Sequence, residues 1–97
     1  MTDIDVVATI PIRPDAAEAA RPHLLELAAA TRAEEGCLSY ALSESGAVPG
    51  LFVTVERWRG QSDLDAHMRT DHIARAFTAL TPSLAGEVAI HPLQPVG

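Results

Sequence analysis

Four stretches of this chain alternate apolar and polar side chains with a period of two, and the segments between them carry the three-to-four-residue spacing of helices. Few folds accept that order. Ile4, Val6, Ala8, Ile10 and Ile12 alternate with Asp5, Val7, Thr9 and Pro11 and predict a first strand, with Pro11 weakening the bonding at its far end. Cys37 to Ser43 and Leu51 to Arg59 predict an antiparallel hairpin across the turn-rich loop 44–50, and Glu87 to Leu93 predicts a last strand before a frayed tail at Pro95 and Gly97.

Between the strands, Asp15 with Glu18 predicts a helix cap, and Ala17, Ala20, Leu24, Leu27, Ala28 and Thr31 recur at helical spacing up to about Glu34, with Gly36 as the stop. Pro22 is expected to kink or split this helix, a start nearer Pro22 being the alternative. Ser62 with Asp65 predicts the cap of a second, short helix. Thr70 or Asp71 caps a third, whose stripe is Ile73, Ala76, Phe77, Leu80 and Leu84, with Pro82 near its end and Gly86 closing it. Strand, helix, strand, strand, helix pair, strand is the order of an α+β, ferredoxin-like βαββαβ fold with a four-stranded antiparallel sheet.

At 97 residues the chain reads as one domain spanning 1–97, and a domain this small buries only about 60 to 65% of the surface its unfolded form exposes. The third strand is apolar on both faces: Phe52, Thr54, Glu56 and Trp58 share one side, and Leu51, Val53, Val55 and Arg57 the other. A sheet covered by helices on one side only needs a second cover, and a second copy of the same sheet is the economical one, which predicts a homodimer.

Thirteen acids stand against seven bases, all of them dispersed arginines. With a net charge of −6, nucleic acid and anionic membrane surfaces are unsuitable partners, since both require a positive patch. The chain has no lysine, which removes Schiff-base and lysine-anchored pyridoxal phosphate chemistry. One cysteine, no membrane-length apolar stretch and no leader-like N-terminal run lead to the expectation of a cytoplasmic protein.

Gly36-Cys37-x-x-Tyr40, then Phe52-x-x-x-Glu56-x-Trp58, then Leu64-x-x-His67-x-x-x-x-His72, in this element order, resemble the antibiotic biosynthesis monooxygenase (ABM) domain from Val6 to about Leu93. The resemblance implies a dimeric α+β barrel with a pocket between sheet and helices in each subunit. Relatives in that family oxygenate quinols or polycyclic phenols without metal or flavin, degrade haem, or process a small phosphorylated sugar. The haem degraders use an asparagine on the first strand, a tryptophan near the His67 position and a later histidine, whereas this chain has no asparagine, His67 itself and Phe77. Polyketide oxygenases carry an asparagine and a tryptophan four apart on the third strand, where Thr54 and Trp58 stand here.

The expected activity is therefore a cofactor-independent monooxygenation of a small quinol or polycyclic phenol with O₂. It starts by deprotonating the phenol, for which a histidine is suited at neutral pH. His67 is the expected base, with Trp58 stacking on a planar substrate and Thr54 or Tyr40 donating to a developing oxyanion. Glu56, His72 and Phe77 complete the expected substrate site. Each has a structural alternative: a helix-face histidine satisfied by a carboxylate for His67, core packing for Trp58, Tyr40 and Phe52, an arginine ion pair for Glu56, and a buried apolar role for Cys37. No metal site is expected, because His67 and His72 lie about 140° apart round a helix and a capping break falls between them. Two other functions compete: a cofactor-free isomerase or lyase for a small keto compound, which would want Arg32 or Arg75 in the pocket, and a non-catalytic ligand-binding dimer, which would have no cavity behind His67.

Overall fold

The structure, a computed structural model, describes residues 3–97. Its strands are β1 (Ile4–Pro11), β2 (Cys37–Glu44), β3 (Leu51–Trp58) and β4 (Ala89–Pro92), and its helices are α1 (Ala17–Arg32), α2 (Gln61–His67) and α3 (Asp71–Leu80). Single 3₁₀ turns at Pro14–Ala16 and Thr81–Ser83 precede α1 and follow α3. The sheet order is β2-β3-β1-β4 with every neighbour antiparallel, which is the expected α+β, ferredoxin-like arrangement.

Register follows from the alternation. Tyr40 pairs with Glu56, Glu56 with Val6 and Val6 with Pro92, and one step along, Leu42, Thr54, Ala8 and Ile90 form the next row. These rows belong to the helix-covered face. A single residue of slip would send Glu56 and Thr54 to the other side. Helices α1 and α3 lie over that face, and Ile10, Ile12, Leu24, Leu27, Phe52, Ile73, Ala76 and Leu80 form the main core, with Val6, Trp58 and Leu64 as a smaller cluster beside it. Phe52 and Leu24 are each 1% exposed, burial that stabilises by about 2 kcal/mol per side chain. The opposite face carries Val7, Val53 and Val55, and Val55 is 56% exposed. Among the described residues, no helix covers that face.

Several local expectations are corrected. Asp15 does not cap α1: the helix is preceded by the 3₁₀ turn that Pro14 opens, its N-cap position is Ala16 without a side-chain cap, and Asp15 pairs with Arg13 at 3.4 Å. Pro22 neither splits nor shortens α1, since Pro22 lies on the exposed face, where water can serve the one carbonyl deprived of its partner. Ser62 does not cap α2; extended Gly60 holds that position, and its carbonyl accepts from Asp63 and Leu64. Thr70 does cap α3, its hydroxyl accepting from the Ile73 N–H at 3.3 Å. Helix α3 stops at Leu80, before Gly86, because Pro82 has no N–H to continue the ladder, and Leu84 then bridges Ile12 in extended form. Strand β4 is shorter than its alternation, although the Leu93 N–H still donates to the Asp5 carbonyl at 2.8 Å.

One turn demands its glycine. Gly50 has φ of +84°, and a Cβ there would lie 2.2 Å from the Ile12 carbonyl oxygen, while the Gly50 carbonyl accepts the Ile12 N–H at 2.8 Å. The end of β1 is thereby pinned to the loop that starts β3. Among the described residues, no helix is long and apolar enough to cross a membrane.

Candidate functional site

Between the covered sheet face and α2 and α3 lies a small, open-mouthed cleft with an almost wholly apolar wall. The sheet supplies Ala8, Ile10, Tyr40, Thr54, Glu56 and Ile90, and the helices supply His67, Ile73, Phe77 and Leu80 among others. Polar groups are few and converge at one end.

His67 ends α2 and is 4% exposed. Its Nδ1 lies 2.5 Å from Oε2 of Glu34, and an ionised carboxylate there accepts a hydrogen carried on Nδ1. No described residue bonds its Nε2, and the ring lines the apolar cleft. Behind it stands the Trp58 indole, with ring centroids 4.7 Å apart.

Glu56 sits in the floor, 5% exposed, and both its oxygens are used: Thr54 Oγ1 donates to Oε2 at 2.6 Å and Trp58 Nε1 donates to Oε1 at 2.8 Å. Three successive inward positions of one strand therefore satisfy one another. That arrangement corrects two expectations. Among the described residues of its own chain Glu56 pairs with no arginine, because the inward face of β3 brings it indole and hydroxyl donors in place of a guanidinium. Trp58, 0% exposed, is absent from the cleft lining, so its ring backs His67 and offers no free face for stacking. The Thr54 hydroxyl hydrogen is likewise engaged by Glu56, and the Tyr40 phenol in the wall stands beside the Thr54 hydroxyl. Burial, reinforced by the Glu56 charge, pushes the Tyr40 phenol far above its ordinary value and keeps it protonated.

Phe77 lines the cleft as expected, whereas His72 does not. His72 instead points its Nε2 at the same Glu34 oxygen, 2.8 Å away, and borders a second cleft with His23, Glu26 and Arg75. The break between α2 and α3 was expected to keep the two histidines apart. It does the reverse, turning the end of α2 and the start of α3 together toward the segment just after α1, where Glu34 waits. Arg75 belongs to that second cleft, and Arg32 donates its Nε to the Tyr40 carbonyl at 2.9 Å, so the main cleft is lined by no arginine.

Glu34 is the residue the sequence reading missed. A signal existed: Glu34 and Glu35 follow directly on the C-terminal turn of α1, where the helix dipole disfavours negative charge. An acid in an unfavourable place points to a partner elsewhere.

The sequence model of the family described as Antibiotic biosynthesis monooxygenase matches residues 4–79. Rv0793 of Mycobacterium tuberculosis, named only as a candidate monooxygenase, is 38% identical over 93 residues, covering 96% of this chain and 91% of that protein. A crystal structure of an antibiotic biosynthesis monooxygenase superposes with a TM-score of 0.90 at 30% identity, covering 97% of this chain and 99% of the other. The structure of PA3566 from Pseudomonas aeruginosa does so at 0.86 and 35%, covering 100% and 97%. The strand order, the cleft between sheet and helices and these matches along nearly the whole length agree: this chain belongs to the antibiotic biosynthesis monooxygenase family.

Proposed function

We propose that this protein oxygenates a small quinol or polycyclic phenol with O₂ and without a resident cofactor, using His67 as the base. The observation that carries the reading is an imidazole held through Nδ1 by Glu34, with its free nitrogen at the wall of an apolar cleft. In this mechanism Nε2 takes the phenolic proton, and the electron-rich phenolate passes an electron to O₂. The two radicals combine at a ring carbon bearing hydrogen, forming a C–O bond and a hydroperoxide. The proton on His67 goes to that peroxide; the imidazole then takes the proton of the same ring carbon as the O–O bond breaks and passes it to the leaving hydroxide, so one oxygen atom stays as a carbonyl, the other ends in water, and the base is restored. The Tyr40 phenol donates to the substrate oxygen, and Phe77 packs against the ring. Glu56 holds Trp58 and Thr54, and through Trp58 the back of His67, which makes these three positioning residues.

A second copy of the chain is the proposed cover for Val7, Val53 and Val55 on the outer sheet face, giving the homodimeric barrel, and a cytoplasmic setting suits its single free cysteine, Cys37. The keto-compound alternative lacks the cationic lining it would need. The test is O₂ consumption by metal-free, flavin-free protein over a panel of hydroquinones and hydroxynaphthalenes, compared with His67→Ala. Uptake that falls by about 10²-fold or more in the variant supports the reading. Equal rates, or none with either protein, would overturn it.

A further inference from the structure

Glu34, His67 and His72 come from three different elements, and their donor atoms all lie within 4.8 Å of one another. We propose that these three side chains form a binding site for one divalent transition-metal ion of the zinc type, and that its occupation switches the base off. The second clause rests on the role proposed for His67; the first does not.

The geometry is close to what the ion requires. Zinc bonds of about 2.0 to 2.2 Å to imidazole nitrogen and carboxylate oxygen, arranged tetrahedrally, set donor atoms roughly 3.3 Å apart. Here the two nitrogens stand 2.5 and 2.8 Å from a common oxygen and all three donor atoms lie within 4.8 Å of one another, so admitting the ion means widening the two N–O separations by less than about 1 Å and re-aiming the imidazoles toward a common centre. Two imidazoles and one carboxylate suit zinc, copper(II) or nickel over magnesium or calcium, which prefer all-oxygen shells. The ligands are also held in advance. Thr70 Oγ1 donates to the His67 carbonyl at 2.7 Å, and the Glu34 N–H and carbonyl bond Thr31 and Cys37 at 3.0 and 3.1 Å.

Access comes from outside the substrate cleft. The side chains of Glu34 and His72 are 16% and 17% exposed, and His72 opens on the second cleft, so an ion reaches the triad without crossing the apolar hollow. Binding replaces two N–H···O hydrogen bonds by metal bonds. Each neutral imidazole then carries its hydrogen on its other nitrogen, and no net proton needs to leave. For His67 that other nitrogen is Nε2, which becomes a donor and loses the lone pair it offered to a phenol.

Chelator-treated protein titrated with zinc sulfate in a calorimeter tests the site directly. One ion per chain is expected, with affinity lowered at least tenfold in Glu34→Gln and in His72→Ala, both checked for fold by circular dichroism, and unchanged in His23→Ala and Cys37→Ser. Should Glu34→Gln fail to fold, the half-buried His72→Ala decides alone. Wild-type affinity equal to that of the His72 variant, or no saturable binding, would overturn the site. In protein that consumes O₂, zinc should suppress the rate and chelator restore it; full turnover with zinc bound would overturn the switch. Calorimetry needs no turnover, so a failure of the oxygenase reading and a failure of the metal site are distinguishable.

Discussion

Glu34 Oε2 lies 2.5 Å from His67 Nδ1 across 33 residues of sequence, and this contact ties the segment just after the first helix to the last residue of the second. In the proposed mechanism this carboxylate, able only to accept when ionised, holds the ring hydrogen on Nδ1. An amide in its place can donate through its NH2 as well as accept, which lets the ring place its hydrogen on either nitrogen. Glu34→Gln is therefore expected to lower kcat on the order of 10²-fold while KM for the quinol changes little, since Glu34 does not border the cleft. Steady-state O₂ uptake separates the two constants, and a change confined to KM would contradict the positioning role.

The chain has a single tyrosine, so the near-ultraviolet absorbance of phenolate reports Tyr40 alone. Because burial raises its native-state pKa above the ordinary 10.0, the stability it contributes is present below pH 10.0 and lost as pH rises beyond it. Native protein should resist Tyr40 ionisation well past that pH, and Tyr40→Phe should soften the alkaline loss of stability. Denaturant midpoints at neutral and alkaline pH check this; a phenol titrating normally in folded protein would contradict it.

How much of this was readable in advance follows from which interactions are local. Strand alternation set the sheet face of Tyr40, Thr54, Glu56 and Trp58, and the Thr70 cap and the α3 stripe were legible because each depends on residues within one turn. The partners of those residues were not legible. Nothing in the spacing of Thr54, Glu56 and Trp58 says that a carboxylate will take both neighbours as donors and not an arginine. The Glu34 contacts join positions 33 and 38 residues distant, and they depend on a turn between α2 and α3 that the sequence marks only as a break.

Gly50→Ala places a Cβ against the Ile12 carbonyl at a residue with φ of +84°. A loss of about 1 to 3 kcal/mol is expected, seen as a lower denaturant midpoint at constant slope. Wild-type stability in the variant would mean that this loop is not pinned to β1.

Val55 lies at the middle of the uncovered sheet face, paired with Val7 on one side and Ala41 on the other. If a second copy covers that face, Val55→Arg should turn a dimer into a monomer by light scattering while the circular dichroism spectrum persists. A dimer unaffected by the charge would place the interface elsewhere.

In the proposed mechanism His67 keeps its hydrogen on Nδ1 and offers Nε2 to a phenol in the cleft. Heteronuclear NMR of its imidazole nitrogens in metal-free protein measures this directly. A hydrogen-bearing Nδ1 and a bare Nε2 whose resonance shifts when a dihydroxynaphthalene is added are expected; a hydrogen resident on Nε2, or a resonance indifferent to the phenol, would rule this role out.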